Sequence, residues 1–237
     1  MFVSFAVFAL ALSAQAADPL QDQRTTCSAL SRPESIDACA ALIQSGKLSG
    51  NDLARVYLNH GLGNVRRGLT NRAIEDFNQA IAIDPTFNPG YVDRGTAYLA
   101  LFDYAHALQD LDHADQVKPD DAVILVNRCR ARGEWGQELD KARADCDRAL
   151  ALNPSQLGFT VYMTRALVRY RQGDNDGAVA DATAGLAIMH GDPWGLYVRG
   201  LARIRSGDVE TGNADIANAR AASAGVADLF AKFGVTP

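Results

Sequence analysis

Residues 54–87 read ARVYLNHGLGNVRRGLTNRAIEDFNQAIAIDPTF, and residues 88–121, NPGYVDRGTAYLALFDYAHALQDLDHADQVKPDD, run to the same pattern. Small residues recur at matched offsets along the rest of the chain. Gly61, Gly95, Cys129, Ala166 and Gly200 form one column, Ala73, Ala107, Ala142, Ala178 and Gly212 a second, and Ala80, Ala114, Ala149, Gly185 and Ala219 a third. Pro85, Pro119 and Pro154 close three units, and His190 stands at that place in the fourth. Apolar residues follow three-and-four spacing, and turns at Gly68, Phe102-Asp103, Gly133 to Gly136, Gly173-Asp174 and Gly207-Asp208 separate the periodic stretches. Each unit therefore reads as two antiparallel helices, with no strand pattern between them. Such helices approach to about 8 Å only where the facing residues are small. The large members Tyr57, Phe77, Tyr91, Leu111, Tyr162 and Ile216 are expected to fill the gaps between units, and the prolines to stop each second helix.

A period near 34, with Tyr57-x-x-x-Gly61, Gly68, Ala73, Phe77, Ala80 and Pro85 in one unit and Tyr91-x-x-x-Gly95, Tyr98, Tyr104, Ala107, Leu111, Ala114 and Pro119 in the next, resembles the tetratricopeptide repeat. The resemblance implies an all-α, right-handed α-solenoid of about five helix-turn-helix units, at 54–87, 88–121, 122–156, 159–192 and 193–224. Capping helices are expected at both ends, one from Pro33-Glu34-Ser35 to about Gln44 within residues 17–53 and one over Val226 to Phe233 within 225–237. The segment from Cys27 through Ile36-Asp37-Ala38-Cys39 to Ser45-Gly46, followed by Ala54-x-x-Tyr57-x-Asn59-x-Gly61, is similar to a group of exported bacterial tetratricopeptide proteins. So are Asn127-Arg128-Cys129 and Asp145-Cys146-Asp147 in the third unit. This resemblance bears on fold and compartment and leaves the partner open.

Residues 1–16, MFVSFAVFALALSAQA, are uncharged, apolar from Phe2 to Leu12, and end in Ala14-Gln15-Ala16, the small-residue pattern of a signal-peptide cleavage site. Cleavage after Ala16 and a periplasmic or secreted mature chain are expected. The apolar run is shorter than the roughly 20 residues a bilayer span needs, so no membrane insertion is expected after cleavage. A net charge of -5, without a basic tract, argues against nucleic acid as a partner. Four cysteines at 27, 39, 129 and 146 lack a Cys-x-x-Cys pair or paired histidines, so disulfides are favoured over metal. In the repeat register Cys129 takes the small position of a first helix, and Cys146 the position of Phe77 and Leu111 facing it. The expected pairs are Cys129 with Cys146 and Cys27 with Cys39, the latter tying an extended leader onto the capping helix.

The candidate functional residues fall into two groups. The first helices should build an inner wall from Leu58, Leu62, Val92, Thr96, Leu99, Val126, Met163, Leu167, Tyr170, Tyr197 and Leu201, a mostly apolar groove. It either packs on the chain's own termini or receives a partner's peptide or helix. Leu58, Leu62 and Val123 stand where chaperone-tail clamps of this fold carry polar and basic residues, which disfavours that activity. The second group is charged. Asp76, Asp110, Asp145, Asp181 and Asp215 recur in second helices and Arg94, Arg128, Arg165 and Arg199 in first helices, and an ion-pair ladder accounts for them better than a carboxylate or phosphate ligand does. Arg132, Arg169 and Arg203, four residues further on, have no acidic column of their own and are candidates for contacting an acidic partner, against a solvated or tyrosine-stacked alternative. No Gly-rich phosphate loop, His-Glu-x-x-His or Gly-x-Ser-x-Gly occurs. The expectation is a non-catalytic envelope scaffold without a cofactor that holds an unidentified protein or peptide; a self-associating structural element of an envelope assembly is the alternative, and an enzyme with an unrecognised site ranks last.

Overall fold

The computed structural model describes residues 19–152 and 157–236; the expected signal segment and Pro154 lie outside them. Its described elements are thirteen α-helices and no strand: α1 Pro19–Ser28, α2 Ser35–Ser45, α3 Gly50–Arg66, α4 Thr70–Ile83, α5 Asn88–Ala100, α6 Tyr104–Val117, α7 Ala122–Trp135, α8 Leu139–Ala151, α9 Gly158–Gln172, α10 Asn175–Ile188, α11 Pro193–Arg205, α12 Val209–Ala222 and α13 Val226–Lys232. Helix starts follow local chemistry. Asp103, Asp121, Asp174 and Asp192 accept from the first-turn amides of α6, α7, α10 and α11, and prolines occupy the first turns of α5 and α11, where an N–H would have no intrahelical acceptor. The stretch expected to be an extended leader is instead the helix α1, packed on α2 and α3. Its mean hydropathy is low, so no apolar stripe announces it in the sequence.

From α3 to α12 the helices pair in order, α3 on α4 through α11 on α12, and each pair packs on the next. First helices of successive pairs also touch one another, α3 with α5, α5 with α7, α7 with α9 and α9 with α11, whereas no contact joins one described second helix to the next. The stack therefore curves toward its first helices, which form the inner face. The core is strung along this axis: one apolar cluster holds Cys27, Cys39 and Leu42 at the N-terminal end, others follow around Phe77, Leu111 and Cys129, and the last joins α9 to α13 around Leu167, Tyr197 and Phe230. The small columns do what their spacing predicts. A β-carbon on Gly200 would stand 2.7 Å from the Gly212 carbonyl oxygen, and one on Gly61 2.5 Å from the Phe77 ring, so either side chain would force the paired helices apart.

Candidate functional site

The charged columns meet inside the stack. Arg94 grips Asp110 with Nε and Nη2 at 2.8 and 2.7 Å, Arg165 grips Asp181 at 2.8 and 2.6 Å, and Arg199 grips Asp215 at 2.8 Å through both nitrogens. The pairing is thus within the unit. Each arginine but the last also reaches the preceding unit: Arg94 donates to Asn78 at 2.6 Å, Arg128 pairs with Asp112 and Asp115, and Arg165 donates to Asp147 at 2.7 Å. Arg94, Arg128 and Arg165 each so tie the second helix of their own unit to that of the unit before.

Arg132, Arg169 and Arg203 are held within the chain. Residues four apart share a helix face, so this row meets the same aspartates as the first: Arg132 donates to Asp145 at 2.7 Å, Arg169 pairs with Asp181 at 3.1 Å and Arg203 with Asp215 at 2.7 Å. Arg132 is 2% exposed and also holds Glu138 and Asp112. The expected lack of an acidic column for these three is corrected: they share the aspartates of the first row. In the first unit the same two positions carry His60 and Asn64, which hold Asp76 at 2.8 and 2.7 Å, an arginine-free version of the clamp that a search for arginines passes over. Burial lifts the Asp145 carboxyl above the ordinary carboxylate range against the pull of Arg128 and Arg132.

Cys129 lies against Cys146 and Cys27 against Cys39 at bonding distance, with Cα atoms 5.6 and 4.8 Å apart. The first pair joins α7 to α8 one residue beyond Arg128 and Asp145. The second joins α1 to α2.

Most of the expected apolar wall is core. Leu58, Leu99, Val126, Met163, Leu167, Tyr170, Tyr197 and Leu201 are buried, and Leu62, Val92 and Thr96 are half-buried. Curvature brings neighbouring first helices into contact, and the chain's own C-terminus covers part of the remainder. Phe230 of α13 is fully buried against Trp194 and Tyr197. The segment then crosses the inner face. Phe233 packs against Phe102 with ring centroids 6.2 Å apart, Lys232 sits over the same ring, and Arg171 of α9 binds the Phe233 carbonyl while donating to the Glu134 carbonyl at 3.1 Å.

Between this strap and the inner wall a cavity of about 340 Å³ remains. Leu99, Phe102, Phe159, Met163, Leu167, Trp194, Leu229 and Phe233 give it an apolar lining; Arg130, Glu134, Thr160, Thr164 and Asp192 supply polar groups. Glu134 is 3% exposed, accepts from Arg130 Nε at 2.6 Å, and burial raises its carboxyl above the usual range. Burial first, and the Glu134 charge second, also push up the hydroxyl of Tyr104.

Phe102 is the unexpected member. Its position is held by Gly68, Gly136, Gly173 and Gly207 in the other units, all with φ between 73° and 94°, and Phe102 adopts φ 61° there. A side chain in this left-handed region is disfavoured by about 1–2 kcal/mol, and here it sets a 38%-exposed ring at the cavity mouth. The signal was present in the sequence as an aromatic at a glycine position in the turn column. Among the described residues no group of three or more His, Cys, Asp or Glu side chains converges to hold a metal ion, and no helix is long and apolar enough to cross a membrane.

Residues 54–87 match the family model described as tetratricopeptide repeat. The chain is 27% identical over 195 residues to the tetratricopeptide repeat and J domain-containing co-chaperone DNJ1 of Fusarium oxysporum f. sp. lycopersici, a match covering 76% of this chain and 36% of that protein. The chain thus spans about a third of that relative's length. Among solved structures it is similar to a tetratricopeptide repeat protein from Parabacteroides merdae ATCC 43184 (TM-score 0.65, 17% identity, 92% of this chain and 86% of that one). PilW, described as a widely conserved type IV pilus biogenesis factor, superposes with a TM-score of 0.66 at 16% identity over 78% of this chain and 91% of its own. MamA from Desulfovibrio magneticus RS-1 does so with a TM-score of 0.61 at 14% identity, over 71% and 93% respectively. Residues 54–87 thus match a tetratricopeptide repeat, and the repetition of that unit and these shared folds give the chain a tetratricopeptide-type helical solenoid fold.

Proposed function

We propose that this chain is a non-catalytic scaffold that holds a segment of a partner protein on its inner face, and that it works in the periplasm or outside the cell. Tetratricopeptide folds serve protein–protein interaction, and the observation that carries the more specific reading is Phe102. A ring kept in a strained turn at the mouth of an apolar cavity, where every other unit relieves the strain with glycine, is the pattern of a residue retained for contact. The cavity volume suits one or two large apolar side chains of an inserted segment. Both cysteine pairs sit at bonding distance, which supports an oxidising compartment. A relative named as a co-chaperone is consistent with work on other proteins.

The test uses Phe102→Gly. The substitution restores the residue type of the other units, so the melting temperature should stay within a few degrees of the parent, while affinity for a peptide selected on the purified chain should fall about tenfold or more, as for loss of an aromatic anchor. Unchanged affinity would refute the assignment.

A further inference from the structure

Away from the inner face, where the turn after α1 meets α2 and the end of α3, lies a second hollow of about 270 Å³. Ser31, Arg32, Ser35, Arg66 and Arg67 supply its polar side chains, and Gly63, with no side chain, keeps it open. The arginines of the ladder are consumed by aspartates; these are not. Among the described residues Arg32 and Arg67 make no side-chain hydrogen bond or ion pair, although both are exposed, and Arg66 is anchored only through one nitrogen to the Leu30 carbonyl. Ser35 is 4% exposed and lines the hollow, with no hydrogen-bond partner for its hydroxyl among the described residues. It is the first residue of α2, whose N-cap Glu34 makes no side-chain cap, so the Ile36 and Asp37 amides also lack acceptors there. A largely buried serine whose hydroxyl opens on the hollow without a protein partner, at an uncapped helix start in a hollow lined by three arginines, is an incomplete arrangement, and what completes it is an anion. Neither Glu34 nor Asp37 lines the hollow.

We propose that this hollow binds a phosphate group, with Arg32, Arg66 and Arg67 holding its oxygens and the Ser35 hydroxyl donating to one of them. A carboxylate offers two oxygens and a single charge, fewer than these donors can engage; a phosphate offers three or more oxygens and nearly two charges. The oxidised full chain should be titrated with inorganic phosphate by NMR and, separately, sedimented with phosphatidylcholine vesicles with and without phosphatidate. Expected are saturable shifts of the Ser35, Ile36 and Asp37 amides with phosphate, or phosphatidate-dependent sedimentation. Shifts without sedimentation identify a soluble phosphate as the ligand, and sedimentation identifies a lipid headgroup. The double variant Arg32→Ala/Arg67→Ala, altered only at exposed positions, should weaken whichever is seen about tenfold or more, and Ser35→Ala by a smaller factor. Exposed Arg72→Ala on α4 should change neither. Absence of both signals in the parent chain, or equal signals in the double variant, overturns the proposal.

Discussion

Replacing Asp145 by alanine tests whether the charged ladder holds the stack together. Asp145 is 4% exposed and its Oδ2 lies 2.7 Å from Arg132 Nη1 and 3.3 Å from Arg128 Nε. Arg132 is itself buried, so the variant leaves a guanidinium without its nearest counter-charge in a place that water reaches poorly. Breaking one side of a buried pair is worth about 3–5 kcal/mol. Two features place this case at the lower end: Arg132 retains Glu138 at 3.0 Å and Asp112 at 3.2 Å, and Asp145 itself is destabilised by burial. A loss of about 3 kcal/mol corresponds to a fall in melting temperature of about 6–12 °C for a chain of this size. The assay is urea denaturation followed by far-ultraviolet circular dichroism, with calorimetry as a check. Asp215→Ala should lose less, because Arg203 is more exposed than Arg132. Adding Arg132→Met to Asp145→Ala should restore part of the loss, since the stranded charge is then gone. A loss under about 1 kcal/mol for Asp145→Ala, or a double variant weaker than the single, would refute the reasoning.

Reduction of the Cys129–Cys146 pair should destabilise the chain by about 3 kcal/mol, the loop-entropy effect of a closed segment of this size, read as the denaturation midpoint with and without reductant in a Cys27→Ser/Cys39→Ser background. Asp93 has no side-chain partner among the described residues, and burial lifts its carboxyl to about 6. The folded chain therefore holds that proton more tightly than the unfolded chain does, so this contribution to stability is present below about pH 4 and lost as pH rises through 6. Asp93→Asn should remove that slope and add about 1–2 kcal/mol at pH 7, a figure kept low for its partial exposure, measurable as melting temperature against pH. Gly200→Ala should cost about 1–3 kcal/mol, because its new carbon meets backbone that cannot yield, while Gly158→Ala, whose nearest neighbour would be 3.7 Å away, should be close to neutral by the same denaturation assay.

The architecture was readable because helix contact imposes a chemical requirement, smallness, at fixed offsets: Gly61, Ala73 and Ala80 recur whether or not their neighbours do. The Asp column with Arg94, Arg128, Arg165 and Arg199 was readable for the same reason. That the second arginine row shares those aspartates is not legible, because a linear pattern counts one acceptor per donor, whereas a buried carboxylate has two oxygens and serves residues at both i and i+4. His60 and Asn64 escaped because the column changes residue type while keeping its hydrogen-bonding role. How much of the inner wall is buried is not legible in the sequence. How closely α5, α7, α9 and α11 approach is a product of superhelical curvature, and the return of Phe233 to Phe102 joins residues more than a hundred positions apart. Neither leaves a local mark. The cavity therefore had only Phe102 to announce it, one aromatic in a column of glycines.

The most direct measurement of the scaffold reading is a methyl-NMR map of the chain bound to a peptide selected from a random display library. The account predicts that shifts concentrate on Leu99, Met163, Leu167 and Leu229, the leucine and methionine residues around the cavity, and that Phe102→Gly moves their saturation together to at least about tenfold higher peptide concentration. Shifts confined to the outer second helices, or a selection that yields no peptide requiring Phe102, would contradict it.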